Sequence, residues 1–222
     1  MKLKLTLITA MLASAVGAQA QTAGTWLVQA GVTRVTPDVT SGDLTAPAPS
    51  GTKSDVGPDT QPTAQLTYMV NDRLAVALPL GLGFTHKIYG AGAISGVGQI
   101  GSVHVLPATV FAQYRFGEAS AKARPYAMAG GSYVRFSNAR GSAVLNALNP
   151  ANPAGGITEL DVESKFAMSI GLGVSINADK DWFVDVSYSK MFLKNLTTLS
   201  TGQTQAMTLN PAAFSKIGRA HV

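Results

Sequence analysis

The sequence predicts an all-β protein, an eight-stranded antiparallel transmembrane β-barrel with short periplasmic turns and long extracellular loops. Three observations carry this expectation. Large aromatic residues fall on the outward faces of strand-like segments, mostly near a segment end. Apolar residues alternate at period two with small or polar ones. The connections between segments alternate between short and long. Aromatic rings favour the water–lipid boundary, so two girdles of them around alternating strands mark a barrel whose apolar side faces lipid.

The N-terminus comes first. Lys2 and Lys4 precede an apolar run from Leu5 to Gly17, and Ala18-Gln19-Ala20 offers small residues for cleavage. This three-part pattern predicts a signal peptide over residues 1–20, with the barrel over 21–222. The run is too short to span a bilayer as a helix.

Seven clear segments and one incomplete one follow, each about nine to eleven residues or slightly longer, as a tilted membrane strand requires. The first, Gly24 to Thr36, presents Trp26, Val28, Ala30 and Val32 outward. The second, Thr60 to Val70, presents Ala64, Leu66, Tyr68 and Val70. In the third, Leu74 to Thr85, the outward row ends in Leu80, Leu82 and Phe84. The fourth, Val103 to Phe116, ends in Tyr114 and Phe116. In the fifth, Arg124 to Phe136, Gly130-Gly131-Ser132 blurs the faces, and Tyr126 and Phe136 are assigned outward. The sixth alternates most cleanly, with Phe166, Met168, Ile170 and Leu172 on one face and Ala167, Ser169 and Gly171 on the other. The seventh, Trp182 to Phe192, sets Trp182 and Tyr188 outward with Phe192. The eighth runs from about Gln205 to the end and is poorly formed as written. Strict period-two alternation excludes amphipathic helices here. Asn71-Asp72-Arg73, Gly117 to Ala123 and Asn177 to Asp181 read as short turns. The segments between Pro37 and Asp59, His86 and Ser102, Ser137 and Leu160, and Lys194 and Thr204 read as long loops.

Composition narrows the function. Mean hydropathy is +0.18, although no apolar stretch after Gly17 is long enough for a membrane helix; interleaved apolar residues resolve the conflict. The net charge of +5 comes without any Lys/Arg run, so no nucleic-acid partner is expected. The chain has no cysteine, which excludes disulfides and thiolate metal sites. The glycine pairs Gly81/Gly83 and Gly171/Gly173 lie in strands with no following helix, unlike a dinucleotide loop. His86 and His104 flank a long loop and read as exposed residues at its base rather than metal ligands. Ser102 beside His104 has no orienting acid, so no enzyme activity and no cofactor are expected.

Inverting the pattern gives the lumen. Its apolar candidates are Leu27, Met69, Pro79, Phe111, Tyr133 and Phe183; Arg135 and Lys165 are also assigned inward. Arg115 and Asp185 should lie inward at similar depth near the periplasmic end, and a lumen ion pair follows, because a buried charge needs a partner.

The chain also resembles the OmpW family of Gram-negative outer-membrane proteins. The resemblance is carried by Trp26-Leu27-Val28-Gln29-Ala30-Gly31-Val32 with Pro37 after it, and by Leu66-Thr67-Tyr68-Met69-Val70-Asn71-Asp72. Leu106-Pro107-Ala108-Thr109, Gln113-Tyr114-Arg115-Phe116 and Arg124-Pro125-Tyr126-Ala127-Met128-Ala129-Gly130 carry the rest. Gly83-Phe84-Thr85-His86 departs from the family's Pro-Phe pair before its loop histidine. The ending departs further: Asn210-Pro211 matches, but the usual terminal aromatic is replaced by Val222. Residues 217–222 are also what the sequencing-adapter string ATC GGA AGA GCA CAC GTC encodes, so they are expected to replace the natural end of the last strand.

The resemblance implies an eight-stranded barrel in the Gram-negative outer membrane, with a narrow, largely apolar channel for passive uptake of small hydrophobic molecules. Sideways exit into the bilayer is part of that expectation. Its partners would be membrane lipid and lipopolysaccharide, the solutes and the barrel assembly machinery. The alternative is a structural, adhesive or phage- and colicin-receptor barrel with a closed lumen.

Overall fold

Period-two patterning becomes a curled antiparallel sheet. The computed structural model describes residues 21–148, 157–178, 182–209 and 212–217, the last group by backbone alone. The strands are β1 (Trp26–Thr36), β2 (Val39–Ser41), β3 (Thr52–Val56), β4 (Asp59–Met69), β5 (Leu74–Gly81), β6 (Phe84–Gly92), β7 (Gln99–Arg115), β8 (Ala123–Gly141), β9 (Leu160–Val162), β10 (Lys165–Asn177), β11 (Phe183–Leu199), β12 (Thr204–Leu209) and β13 (Ala212–Ile217). A short helix, α1 (Ala143–Leu148), interrupts them. Pairing runs β1–β4–β5–β7–β8–β10–β11–β13 and returns to β1, so the sheet closes on itself. Closure removes free edges, as a wall facing lipid requires. The expected signal peptide, and all of the suspected replaced ending except Ile217, lie outside the described residues.

The outward face is apolar along β1, β4, β5, β7, β10 and β11, where Val28, Val76, Leu80, Val110, Ile170 and Val184 are all exposed. Aromatic rings lie on this face as well. Trp26 packs on Tyr68 at 4.8 Å and Tyr114 on Phe116 at 5.1 Å beside the short turns. Trp182, Tyr188, Phe166 and Phe192 are exposed on the same outer face.

Three rings do not belong to the girdles. Tyr126 is 2% exposed and Phe84 is buried; Phe136 is half-buried and lines an internal cavity. The reason for Tyr126 and Phe136 is that β8 stands with the opposite face inward from that assigned. Gly130, Gly131 and Ser132 give no facing preference, so the ends decide, and Arg124 and Tyr126 find their polar partners inside. A one-residue shift reverses every side chain of a strand. Tyr133, assigned to the lumen, is consequently 43% exposed and packs on Phe166 at 4.9 Å across the outer wall. Arg135 is likewise exposed.

Phe84 turns inward for a local reason. Odd-numbered residues face inward along β5, and even-numbered ones along β6. The parity changes at Gly83, whose φ of +90° suits glycine. A Cβ on Gly83 would lie 2.6 Å from His104 Nε2 and 2.9 Å from the Val105 carbonyl. Gly83→Ala is therefore expected to cost about 1–3 kcal/mol, from the strained conformation and the backbone clash together. Urea unfolding in detergent micelles measures it; an unchanged midpoint would contradict this account of the switch.

The expected long loops are largely structured. β6 pairs with β7 and with β3, β7 pairs with β8 as far as Gly141, and β11 continues to Leu199 with β9 and β12 alongside. Ile88, Ile100, Val103 and Leu145 make a separate apolar cluster at this end. The wall thus rises beyond the lipid-facing band as a packed extension.

Candidate functional site

The lumen divides into a packed polar floor, an apolar layer and a cavity. The floor forms where the short turns bring Arg115 of β7, Arg124 and Tyr126 of β8, Ser175 of β10 and Asp185 of β11 together with Gln21. Arg115 donates to Gln21 Oε1 at 2.7 Å, to Ser175 Oγ at 3.0 Å and to Gln113 Oε1 at 3.1 Å. Its guanidinium carbon lies 4.9 Å from the centre of the Tyr126 ring. Asp185 accepts from the Tyr126 hydroxyl at 2.8 Å and from Ser175 Oγ at 2.6 Å. Arg124 donates to the backbone carbonyls of Gln21 and Asp72.

This corrects the expected Arg115–Asp185 ion pair. Both are fully buried at similar depth, but Ser175 bridges them, and Tyr126 both donates to Asp185 and stacks under Arg115. Among the described residues the close ion pairs are Lys53–Asp43 and Lys165–Glu163, both partly exposed. Arg124, Tyr126 and Gln21 join the floor without having been expected there from the alternation. Arg124 carried a usable signal, since it stands two residues before a tyrosine at a strand end, but its face was assigned wrongly.

Beside the floor, Leu27, Met69, Ala75 and Phe183 pack together. Gln65 donates to Gln29 Oε1 at 2.7 Å above this layer, and Gln65 also lines the cavity. Floor and apolar layer together seal the periplasmic end.

Beyond this seal lies a cavity of about 190 Å³. Phe111 and Met128 lie at its base, Pro79, Thr109 and Ser169 at mid-height, and Phe84, His86, Phe136 and Leu193 at the loop end. Of the apolar lumen candidates, Leu27, Met69 and Phe183 are in the packed layer, Pro79 and Phe111 line the cavity, and Tyr133 faces outward.

The wall beside the cavity is incomplete in its pairing. The β5–β7 ladder runs from Leu74↔Tyr114 to Ala77↔Phe111, and the β6–β7 ladder begins at Phe84↔Val105. Pro79 and Pro107 lie in the intervening stretches and have no N–H to give. Leu80 and Leu106 are exposed on the outer face and also line the cavity. The cavity therefore reaches the outer wall between β5 and β7. Pro79, Gly81, Gly83 and Pro107 were the sequence signals for this break, because proline and glycine both weaken a strand interior.

His86 is not the exposed loop-base residue expected: it is 4% exposed, and its Nδ1 lies 2.8 Å from the Gly57 carbonyl. Its neighbours on the outer face, Thr85 and Lys87, are exposed, so this level lies beyond the lipid-facing band. Burial pushes the His86 imidazole below the usual histidine value of 6.5, against the opposing pull of the Gly57 hydrogen bond and of Asp59. Asp59, despite the cost of its partial burial, is held below the usual carboxylate value by hydrogen bonds from Gln61, Thr85 and Thr60 and by His86. The fold thus favours neutral His86. This contribution to stability is complete above 6.5 and is lost as pH falls below it, because the unfolded ring takes its proton first. His86→Phe is expected to flatten that part of the stability–pH curve; an unchanged slope would contradict the assignment. His104 lies near by, with Nδ1 at 3.2 Å from Thr85 Oγ1.

Comparison with known proteins agrees with this architecture. The family model described as the OmpW family matches residues 22–220. Outer membrane protein W of Escherichia coli strain K12 is 31% identical over 159 residues, which cover 70% of each chain. Dibenzothiophene metabolism operon protein DoxH of Pseudomonas sp. strain C18 is 26% identical over 199 residues, covering 87% of each. The crystal structure of OprG from Pseudomonas aeruginosa superposes with a TM-score of 0.76 at 22% identity, over 92% of this chain and 100% of that one.

Proposed function

We propose that this chain, which belongs to the OmpW family and is a barrel of the Gram-negative outer membrane, admits small hydrophobic molecules by passive diffusion and releases them sideways between β5 and β7. The observation that carries the reading is the union of a sealed floor with a cavity that reaches the lipid face. Straight passage to the periplasm would have to break the buried Arg115–Ser175–Asp185 network. Lateral release requires no ladder hydrogen bond to break between Ala77↔Phe111 and Phe84↔Val105. The driving force is partition: an apolar lining substitutes for water on the way past the polar lipopolysaccharide layer, and lipid is a still better solvent for the solute. The name of DoxH, tied to dibenzothiophene metabolism, is in keeping with such a solute.

A sealed floor also suits a second reading, a closed barrel whose structured extension binds a partner. The two separate in one experiment. Uptake of an apolar fluorescent dye is measured in cells that lack their own homologue, with and without this chain at a known surface level. Faster uptake with the barrel supports passage; equal uptake with a folded barrel in place moves the function to the outer extension.

A further inference from the structure

His86 gives the cavity a polar feature that packing does not use. Because a carbonyl oxygen only accepts, the 2.8 Å contact with Gly57 places the proton on Nδ1. In the neutral ring Nε2 then keeps a lone pair. The ring lines the cavity beside Phe84, with ring centres 6.2 Å apart. At the same end of the cavity Thr197 is 4% exposed, also lines it, and has no hydrogen-bond partner for Oγ1. Buried polar atoms are nearly always paired, so the unpartnered Thr197 hydroxyl, at the same end of the cavity as the Nε2 lone pair of His86, points to a ligand that completes it.

We propose that the solute this cavity takes is an apolar molecule bearing one hydrogen-bond-donating group, an alcohol, phenol or protonated acid, and that Nε2 of His86 accepts from it. This names the substrate class within the passage reading and rests on it. The placement also orients the solute. His86 follows Phe84 on β6, just beyond the β5–β7 break, so the donor group is held at the outer lip while the apolar frame lies along the lateral opening. Thr197, from β11, offers a hydroxyl that donates to the solute oxygen. A solute leaving in this orientation puts its hydroxyl at headgroup depth and its frame among the acyl chains, where an amphipathic molecule is most stable.

The test compares 2-naphthol with 2-methylnaphthalene, which replaces the hydroxyl by a methyl group of similar size. Binding is measured by fluorescence with the protein in phosphatidylcholine nanodiscs, each probe being referred to its partition into protein-free discs. The expected result is about tenfold tighter binding of 2-naphthol on that scale, about 1.4 kcal/mol. His86→Phe should bring the ratio close to one while 2-methylnaphthalene still binds, which shows the barrel intact. Thr197→Val should lower the ratio in part. Equal binding of the two probes by the unaltered protein, or an unchanged ratio in His86→Phe, overturns the proposal and leaves the passage reading standing. Binding of neither probe overturns both. Should His86→Phe lose both probes, Thr197→Val decides: a ratio kept at its original value overturns the proposal.

Discussion

Asp185→Ala is expected to destabilise the barrel by about 3–5 kcal/mol, the usual cost of stripping one partner from a buried charged network. Asp185 is 1% exposed and Arg115 is 0% exposed. Without the carboxylate, Ser175 and the Tyr126 hydroxyl lose their acceptor, and two buried guanidiniums stand in one floor without a buried countercharge. Gln21 and Gln113 still accept from Arg115, but neutral amides do not offset its charge. Arg115→Ala in the same background should recover part of the loss, so the double variant costs less than the two single changes added together. Urea unfolding in micelles, followed by tryptophan fluorescence, measures all three variants. Additive losses would show that the bridge through Ser175 and Tyr126 does not couple the two residues.

The second large effect concerns flux. Gly81 stands at the end of β5, faces the cavity, and borders the stretch where the ladder to β7 has lapsed. A Cβ there would meet the Thr63 methyl at 3.3 Å, the Pro62 carbonyl at 3.9 Å and the Gly83 nitrogen at 4.0 Å, so a larger side chain is accommodated by a small shift of the Thr63 side chain. Gly81→Phe should therefore fill the lateral mouth and leave the wall intact. Gly171 also faces inward but is unsuitable, since a Cβ would lie 2.6 Å from both the Tyr188 carbonyl and Met128 Cε. Obstruction attempted there would break the β10–β11 ladder instead. Gly131 provides the control: it faces outward, with no atom within 4 Å of an added Cβ. Gly131→Phe adds the same ring to the lipid face.

The alternation was enough to place six of the lipid-facing strand faces, because outward Val, Leu and Ile oppose Gly, Ala, Ser and Thr without ambiguity along β1, β4, β5, β7, β10 and β11. It failed on β8, where three small residues in a row carry no facing information and the terminal arginine and tyrosine set the register. It failed again at Phe84, since a positive-φ glycine changes the inward parity within one apparent strand. The outer extension was hidden by composition: Gly90, Gly92, Gly96, Gly98 and Gly101 read as loop, yet Ile88, Ile100 and Val103 between them build a core with Leu145. For the site, the inward placement of Arg115 and Asp185 was legible, because each is the charged residue of an inward-facing row. Their bridge was not, since it needs Tyr126 and Ser175 from two other strands. The lateral break was written in Pro79, Gly81, Gly83 and Pro107, but only the observed ladders show that pairing with β7 lapses between Ala77↔Phe111 and Phe84↔Val105.

The most direct measurement of the central claim is apolar-dye uptake by cells carrying the unaltered barrel, Gly81→Phe or Gly131→Phe, at matched surface levels and matched unfolding midpoints. Gly81→Phe should fall to the rate of cells without the barrel, while Gly131→Phe keeps the original rate. Undiminished uptake through folded Gly81→Phe would contradict lateral passage between β5 and β7.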